Sequence, residues 1–599
     1  MNFADLFIRR KVMTTLIMLT IGFFGILSYQ ALPVSSMPDI AYPTIEVTVS
    51  YPGASPETIA NSVVVPLEQQ FATINGIQSI SSTSYTGSAT IVLQFALDKD
   101  IDRAAPDVQA AINASSAQLP QDLPYTPYYQ KVNPTQSPIL FYMLTSNVLP
   151  LSQLYDYAHS VLGQRLSIIE GVSQVVTYGQ PFAVRIQLDP QKLARRHIGL
   201  DQIGESLKAA NVYLPVGSLY GKNQEYTINV NGQIFEGEKY NPIVMKTDDG
   251  AIVRLRDVGK AFDSLQDDKI SVKYFSQTKV ENGVGLAIIK QSNANTLDVI
   301  RQIEEIIPQL QKQIPSSISL IKEYDESLFI IDSITDVKFT LLIALLLVVT
   351  IIFLYLGRVV DTIIPAIAIP ISILGTFIIM FYCHFNIDIL SLLAISLSIG
   401  FLVDDAIVVL ENIVRHIEQG ETPLKAAING SKEIMPTIIS MTLCLCCVFI
   451  PLVFMEGIIG RLLHEFSLTI ATAVLISGFV SLSLTPLLCS KFIPAREKDR
   501  KKSRIEKLSE AINESLLTLY RPSLSWSLKN KKWILLGGIC SFLITLLLLA
   551  KLPKDFLPGD DIGLIQGFTI TMNGTSPYEL AAVQESLGKI AVQNPNVDS

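Results

Sequence analysis

No cysteine lies between Ala31 and Lys338. Whatever folds from that polar stretch of about 300 residues does so without disulfides, even in an oxidising compartment. The six cysteines of the chain, Cys383, Cys444, Cys446, Cys447, Cys489 and Cys540, lie in or beside long apolar runs. In such a run cysteine is a small apolar core residue. Cys444-x-Cys446-Cys447 is read that way rather than as a soft-metal site. Charge is scarce too: 17% of residues are charged against 49% hydrophobic. The net charge of −8 says little, because opposite faces of a membrane protein carry different charges. A phosphate-binding loop, a nucleophile–base constellation and a metal-ligand spacing are all missing. The chain is therefore read as no enzyme, with no cofactor, no metal site and no nucleic-acid partner.

What is present is apolar length. Seven runs, at 12–29, 339–356, 362–382, 389–410, 437–455, 468–488 and 533–549, are long and uncharged enough to span a bilayer as helices. Arg9, Arg10 and Lys11 precede the first run. Lys491, Arg496, Lys498, Arg500, Lys501, Lys502, Arg504 and Lys507 follow the sixth. Positive charge marks the cytoplasmic side, and six crossings return the second cluster to the side of the first. The polar stretch after the first run then lies outside the inner membrane. No small-x-small cleavage site follows that run, so it is read as a span and not as a signal peptide.

The external stretch reads as repeated strand–helix–strand units. Thr44–Ser50, Ser55–Phe71 and Ile77–Ser84 form the first, and Ser55-Pro56 supplies its helix with an N-cap and a first-turn proline. Ala89–Phe95 with Arg103–Ala117 begins a second. Ile139–Thr145, Leu151–Ile169 and Val172–Tyr178 form a third, and Val284–Lys290, Asn295–Gln313 and Ser317–Tyr324 a fourth. Such units make small α+β sandwiches with helices on one sheet face. Residues 215–275 differ: Ile243–Lys246 and Ala251–Leu255 flank Asp249-Gly250, a hairpin signal, and are read as a β-rich insertion.

Landmarks also recur late in the chain. Ala31-Leu-Pro33, Pro38 and Gly53-Ala-Ser-Pro56 after the first span match Lys551-Leu-Pro553, Pro558 and Gly574-Thr-Ser-Pro577 after the seventh, at one offset to within a residue. This predicts a two-fold internal repeat whose second copy breaks off at Ser599, as in a truncated chain. Between the copies, Ile505, Leu508, Ile512, Leu516 and Leu519 recur at helical spacing behind the basic cluster, which fits a helix lying on the inner membrane surface or on a cytoplasmic partner.

Asp404 and Asp405 stand side by side inside Ser391-Leu-Leu-Ala-Ile-Ser-Leu-Ser-Ile-Gly-Phe-Leu-Val-Asp-Asp-Ala-Ile-Val-Val-Leu410. One aspartate near the centre of a membrane helix costs roughly 2.5–3.5 kcal/mol, and an intramembrane carboxylate is by default a proton or ion relay. A desolvated carboxyl favours its neutral form and a nearby cation favours the charged one, so alternation between the two settings binds and releases a proton. Ser396, Gly400 and Asp404 share one helix face, and small residues let a neighbouring helix approach. Asp404 is thus expected at a helix interface, with Asp405 about 100° further round. The competing readings are a channel lining and a static pair locked to a cation on another helix. The seven runs hold no central Lys or Arg to supply that cation.

Phe401-Leu-Val-Asp404-Asp405-Ala-Ile-Val-Val-Leu-Glu411-Asn412 closely resembles the fourth-span motif of the resistance–nodulation–cell division (RND) exporters. Tyr51-Pro-Gly-Ala-Ser-Pro-Glu57, Val132-Asn-Pro134, Ile364-Pro-Ala-Ile-Ala-Ile-Pro370 with Gly375-Thr376, and Leu484-Thr-Pro-Leu-Leu-Cys489 are similar to further landmarks of that superfamily. The adjacent aspartates resemble the multidrug branch, of the acriflavine-resistance or Mdt type. The resemblance covers the whole chain, as the first half of such a pump with the opening of the second.

It implies a polytopic α-helical membrane protein of the bacterial inner membrane, a proton/drug antiporter that exports amphiphilic small molecules. The alternatives are a metal-ion exporter of the same superfamily and a non-pumping, membrane-anchored remnant or scaffold. The implied partners are a periplasmic adaptor, an outer-membrane channel and related subunits in a homo- or hetero-trimer. The implied layout is a cytoplasmic N-terminus (1–11), a first span (12–29), periplasmic porter units (31–214), a docking insertion (215–275) and a returning porter unit (276–337). A bundle of spans two to six (338–490), a basic connector (491–532), a seventh span (533–549) and the start of a second periplasmic domain (550–599) follow. The relay aspartates of the superfamily fall on Asp404 and Asp405, and their lysine partner belongs to a tenth span that this sequence does not include. Substrate-pocket aromatics fall on Tyr178, where phenylalanine is common, and on Phe141. Pro138 or Ile139 stands where another pocket phenylalanine is usual.

Overall fold

The computed structural model describes residues 3–38, 42–134, 137–212, 217–228, 232–245, 252–292, 294–494, 504–553, 563–572 and 574–597. Among the described residues seven helices are long and apolar enough to cross a membrane: Lys11–Ala31, Glu326–Tyr355, Val359–Tyr382, Ile389–Glu418, Pro423–Val453, Gly457–Phe492 and Lys531–Lys551. They are called the first to seventh spans below. Within lipid every backbone polar group must be paired internally, which the helix does by itself. Several helices outrun their apolar cores: the fourth continues to Glu418 and the second begins at Glu326.

The chain divides into two compact units, 1–136 with 292–297 and 327–564, and 137–291 with 298–326 and 565–599. In the first unit the sixth span is the most enclosed, flanked by the third, fourth and fifth. The first span packs on the third, where Tyr29 and Phe377 hold their ring centroids 5.0 Å apart. At Gly25 the two backbones nearly touch: a Cβ there would collide with the carbonyl of Leu374. Such small-residue contacts replace the hydrophobic effect as the cause of helix association in lipid. Gly25→Val is expected to lower the thermal stability of the detergent-solubilised protein by about 1–3 kcal/mol, the usual cost of overpacking. An unchanged melting temperature would contradict this contact.

The first unit also carries a four-stranded sheet built from β1 (Thr44–Ser50), β2 (Ile77–Tyr85), β3 (Ser88–Phe95) and β4 (Tyr128–Val132). Its order is β2-β3-β1-β4, antiparallel throughout. Alternation along β1 turns Ile45, Val47 and Val49 toward Val63, Leu67, Phe71 and Val108 of the covering helices. Ser55 caps the first of these, accepting the Thr58 N–H at 3.2 Å, with Pro56 at the first helical position. The first two strand–helix–strand units are therefore halves of one sheet. One half cannot bury its apolar face alone, so the strands interleave.

The second unit repeats this arrangement with β5 (Leu140–Thr145), β6 (Val172–Tyr178), then β7 (Phe182–Leu188) through β13 (Lys273–Phe275), and finally β14 (Val280–Lys290) and β15 (Ser319–Asp325). β14 pairs with both β5 and β6, and β15 pairs with β5. Strands distant in sequence thus complete one sheet. The insertion expected at 215–275 is wider, because β7 pairs along its whole length with β12 (Gly259–Leu265). It is also mixed rather than β-rich. The helices Pro190–Arg195 and Leu200–Ala210 contribute Leu193 and Ile203 to a core shared with Leu255, Val258 and Ala261. β8 (Ser218–Tyr220) pairs with β9 (Glu225–Thr227), and β10 (Val244–Met245) with β11 (Val253–Arg254). Asp249-Gly250, between the latter two, lies outside the described residues.

Candidate functional site

The fourth span begins at a buried cap, Asp388, whose side chain accepts the Ser391 N–H at 2.7 Å. The helix then runs unbroken through the aspartate pair. Adjacent residues differ by about 100° on a helix, and here that angle separates two environments. Asp405 is buried, at 2% exposure, while Asp404 is exposed. Asp405 faces the sixth span, with the Ser477 hydroxyl near its carboxyl. The Ser477 hydroxyl also donates to the Leu402 carbonyl at 3.0 Å, stitching the two helices together one turn before Asp405.

The stripe of Ser396, Gly400 and Asp404 is not the one that packs among the described helices. Ser396 is half-buried, Gly400 and Asp404 are exposed, and a Cβ added to Gly400 would meet nothing. Leu393 and Leu397 continue the same exposed stripe. The fourth span uses the neighbouring arc instead, with Ala394, Ser398, Leu402, Asp405, Ala406 and Val409 all buried. Small side chains lie on both arcs, so residue size alone did not distinguish them. Among the described residues no ion pair reaches Asp404 or Asp405. Ser477 was missed by the sequence reading. Its signal is a hydroxyl stripe, Ser477, Ser481 and Thr485, spaced one turn apart on the sixth span and fully buried.

Tyr178 and Phe141 do come together. They lie on β6 and β5, which flank this stretch of β14, opposite Gly285 and Ala287 respectively. Their ring centroids are 6.0 Å apart at 38°. Gly285 makes this possible, since a Cβ there would stand 2.6 Å from Phe141 Cζ and 3.3 Å from Tyr178 Cβ. Phe141 is half-buried and Tyr178 is 47% exposed, so the pair presents aromatic surface. Ile139, by contrast, is buried in the core.

The family model described as AcrB/AcrD/AcrF matches residues 3–599. The multidrug resistance protein MdtC of Serratia proteamaculans is 39% identical over 603 residues, covering 100% of this chain and 58% of that relative. MdtC of Yersinia enterocolitica is 39% identical over 603 residues with the same coverage, and MdtC of Photorhabdus laumondii 39% over 606 residues, with 57% of its length covered. The chain thus spans less than two thirds of the curated relatives it matches. Seven membrane-compatible helices, adjacent aspartates within the fourth and a match along nearly the whole sequence converge on one assignment: the chain belongs to the AcrB/AcrD/AcrF family of RND multidrug efflux transporters.

Proposed function

We propose that the protein containing this chain is a proton/drug antiporter of the bacterial inner membrane, exporting amphiphilic small molecules. The observation that carries this reading is the division of the aspartate pair into a buried Asp405 and an exposed Asp404 in the middle of one span. A carboxyl held beside Ser477 in the helix bundle is positioned to take up a proton, and Asp404 on the open stripe is positioned to meet a cationic partner from outside the described helices. Phe141 and Tyr178 offer drugs an aromatic platform. In this reading the extramembrane sheets belong to a periplasmic porter. The protein works as a homo- or hetero-trimer with a periplasmic adaptor and an outer-membrane channel, as the resemblance to RND pumps implies.

The test is transport by the complete protein reconstituted in vesicles with an imposed proton gradient. Export is expected to start with the gradient and to stop when a protonophore collapses it. Export that continues undiminished without a gradient would sink the reading. Tyr178→Ala is expected to weaken binding of aromatic dyes by roughly 2- to 12-fold, from about 0.5–1.5 kcal/mol of ring contact. Tyr178→Phe should leave binding near the parent level, and equal losses in both variants would assign the effect to the hydroxyl instead.

A further inference from the structure

The fifth and sixth spans part on one side to leave an apolar groove of about 320 Å³. Met435, Ile439 and Leu443 of the fifth span form one wall, and Leu475, Phe479 and Leu482 of the sixth form the other. Both sets recur at three- and four-residue spacing, so each wall is one helix face about two turns long. The floor is a pinch between the spans. A Cβ at Gly478 would stand 2.8 Å from Thr442 Oγ1, so glycine lets the helices close behind the groove.

The short helix that precedes the first span, Phe3–Arg9, borders one end. Its Phe3 lines the groove and joins Phe7 and Phe479 in an aromatic cluster, with centroids 4.9, 6.0 and 5.8 Å apart. Ala4 and Ile8 of the same helix enter a core with Ile438 and Leu482. Arg9, Arg10 and Lys11 follow at once, and positive charge marks the cytoplasmic side. This end of the groove therefore opens to the inner leaflet, a placement that rests on the membrane orientation proposed above.

At the same end stands Lys432, one turn before Met435 and on its face of the fifth span. It is exposed and makes no ion pair among the described residues. The acidic side chains nearby are already engaged. Glu433 is held by Arg415 at 2.7 Å and by His416 at 2.9 Å, and Asp5 by Arg9 at 2.6 Å. An apolar trough that ends at an unpaired cation fits an acyl chain bearing an anionic head group. The cytoplasmic leaflet supplies such lipids, and basic pockets between spans on that side hold their head groups. A cationic amphiphile would instead meet Lys432 as a like charge.

We propose that this groove binds one anionic phospholipid, with an acyl chain between the fifth and sixth spans and the phosphate on Lys432.

The floor of the groove adjoins a junction of the bundle. Gly478 follows Ser477, whose hydroxyl ties the sixth span to the Leu402 carbonyl of the fourth. A seated chain covers the outer side of that junction.

The test is photolabelling of the complete protein in lipid nanodiscs. One probe is phosphatidylglycerol with a photoreactive acyl chain, and the other is phosphatidylcholine with the same chain. Labelled peptides are located by mass spectrometry. The phosphatidylglycerol probe is expected to label 435–443 and 475–482 roughly 5-fold more than the other, from about 1 kcal/mol per lysine at an anionic surface. Leu346 and Leu347, exposed on the second span, report the lipid that merely surrounds the protein and should show no such preference. Lys432→Gln should erase the preference in the groove, and Lys432→Arg should keep it. Equal labelling of the groove by both probes, or a preference that survives Lys432→Gln, would overturn the site. So would a groove that takes no label, because another part of the complete protein then covers it. Lys432 is exposed, so neither substitution disturbs the core. The label reads contact from either leaflet and export is measured separately, so the transport reading can fail while this result stands.

Discussion

Asp405→Asn is expected to abolish drug export against a gradient, raising dye accumulation in cells, while leaving the complete protein folded and able to bind drug. Asparagine matches aspartate in size, so packing between the fourth and sixth spans, with the hydrogen bond from Ser477 to the Leu402 carbonyl, should survive. What it cannot do is exchange a proton. At a membrane potential of about 150 mV one proton supplies about 3.5 kcal/mol, enough to sustain a drug gradient of roughly 300-fold. The variant should lose that gradient almost entirely. The measurement is steady-state dye accumulation in cells expressing the full-length variant, paired with dye binding to the purified protein. Unchanged efflux would mean that Asp405 is a structural carboxylate and that the proton path lies elsewhere. Loss of both efflux and binding would point to misfolding, which the melting curve would reveal.

Gly285→Val is expected to disable the aromatic platform without unfolding the sheet. A Cβ at this position would sit 2.6 Å from Phe141 Cζ, well inside contact distance, and 3.3 Å from Tyr178 Cβ. The Phe141 ring must then swing away, and the pair can no longer present one surface. Valine favours strands, so β14 itself should tolerate the change. Dye binding should fall by roughly 2- to 12-fold, the value of one aromatic contact, and export of flat aromatic drugs should fall with it. Compounds that do not stack should be exported as before. Full retention of dye binding would remove Phe141 and Tyr178 from the substrate site. This prediction is independent of the first, because it alters the recognition surface and leaves the proton chemistry intact.

The positions of the seven spans and of Asp404 and Asp405 within the fourth were legible in the sequence. Hydropathy and the cost of charge in lipid act locally, so the order of residues carries them. Ser55-Pro56 likewise announced its helix, since an N-cap is a property of neighbours in the chain. Tertiary structure decided the rest. Which aspartate is buried depends on which arc of the fourth span meets the sixth, and small residues occur on both arcs. The four strand–helix–strand units became two sheets because β14 returns to pair with β5 and β6 across a long insertion, a choice made by distant strands. Gly285 gained its role only when β5 and β6 were placed on either side of it. Local composition sets where a helix must form and what a charge there costs. Which side chains then share a site depends on contacts between residues far apart in the chain.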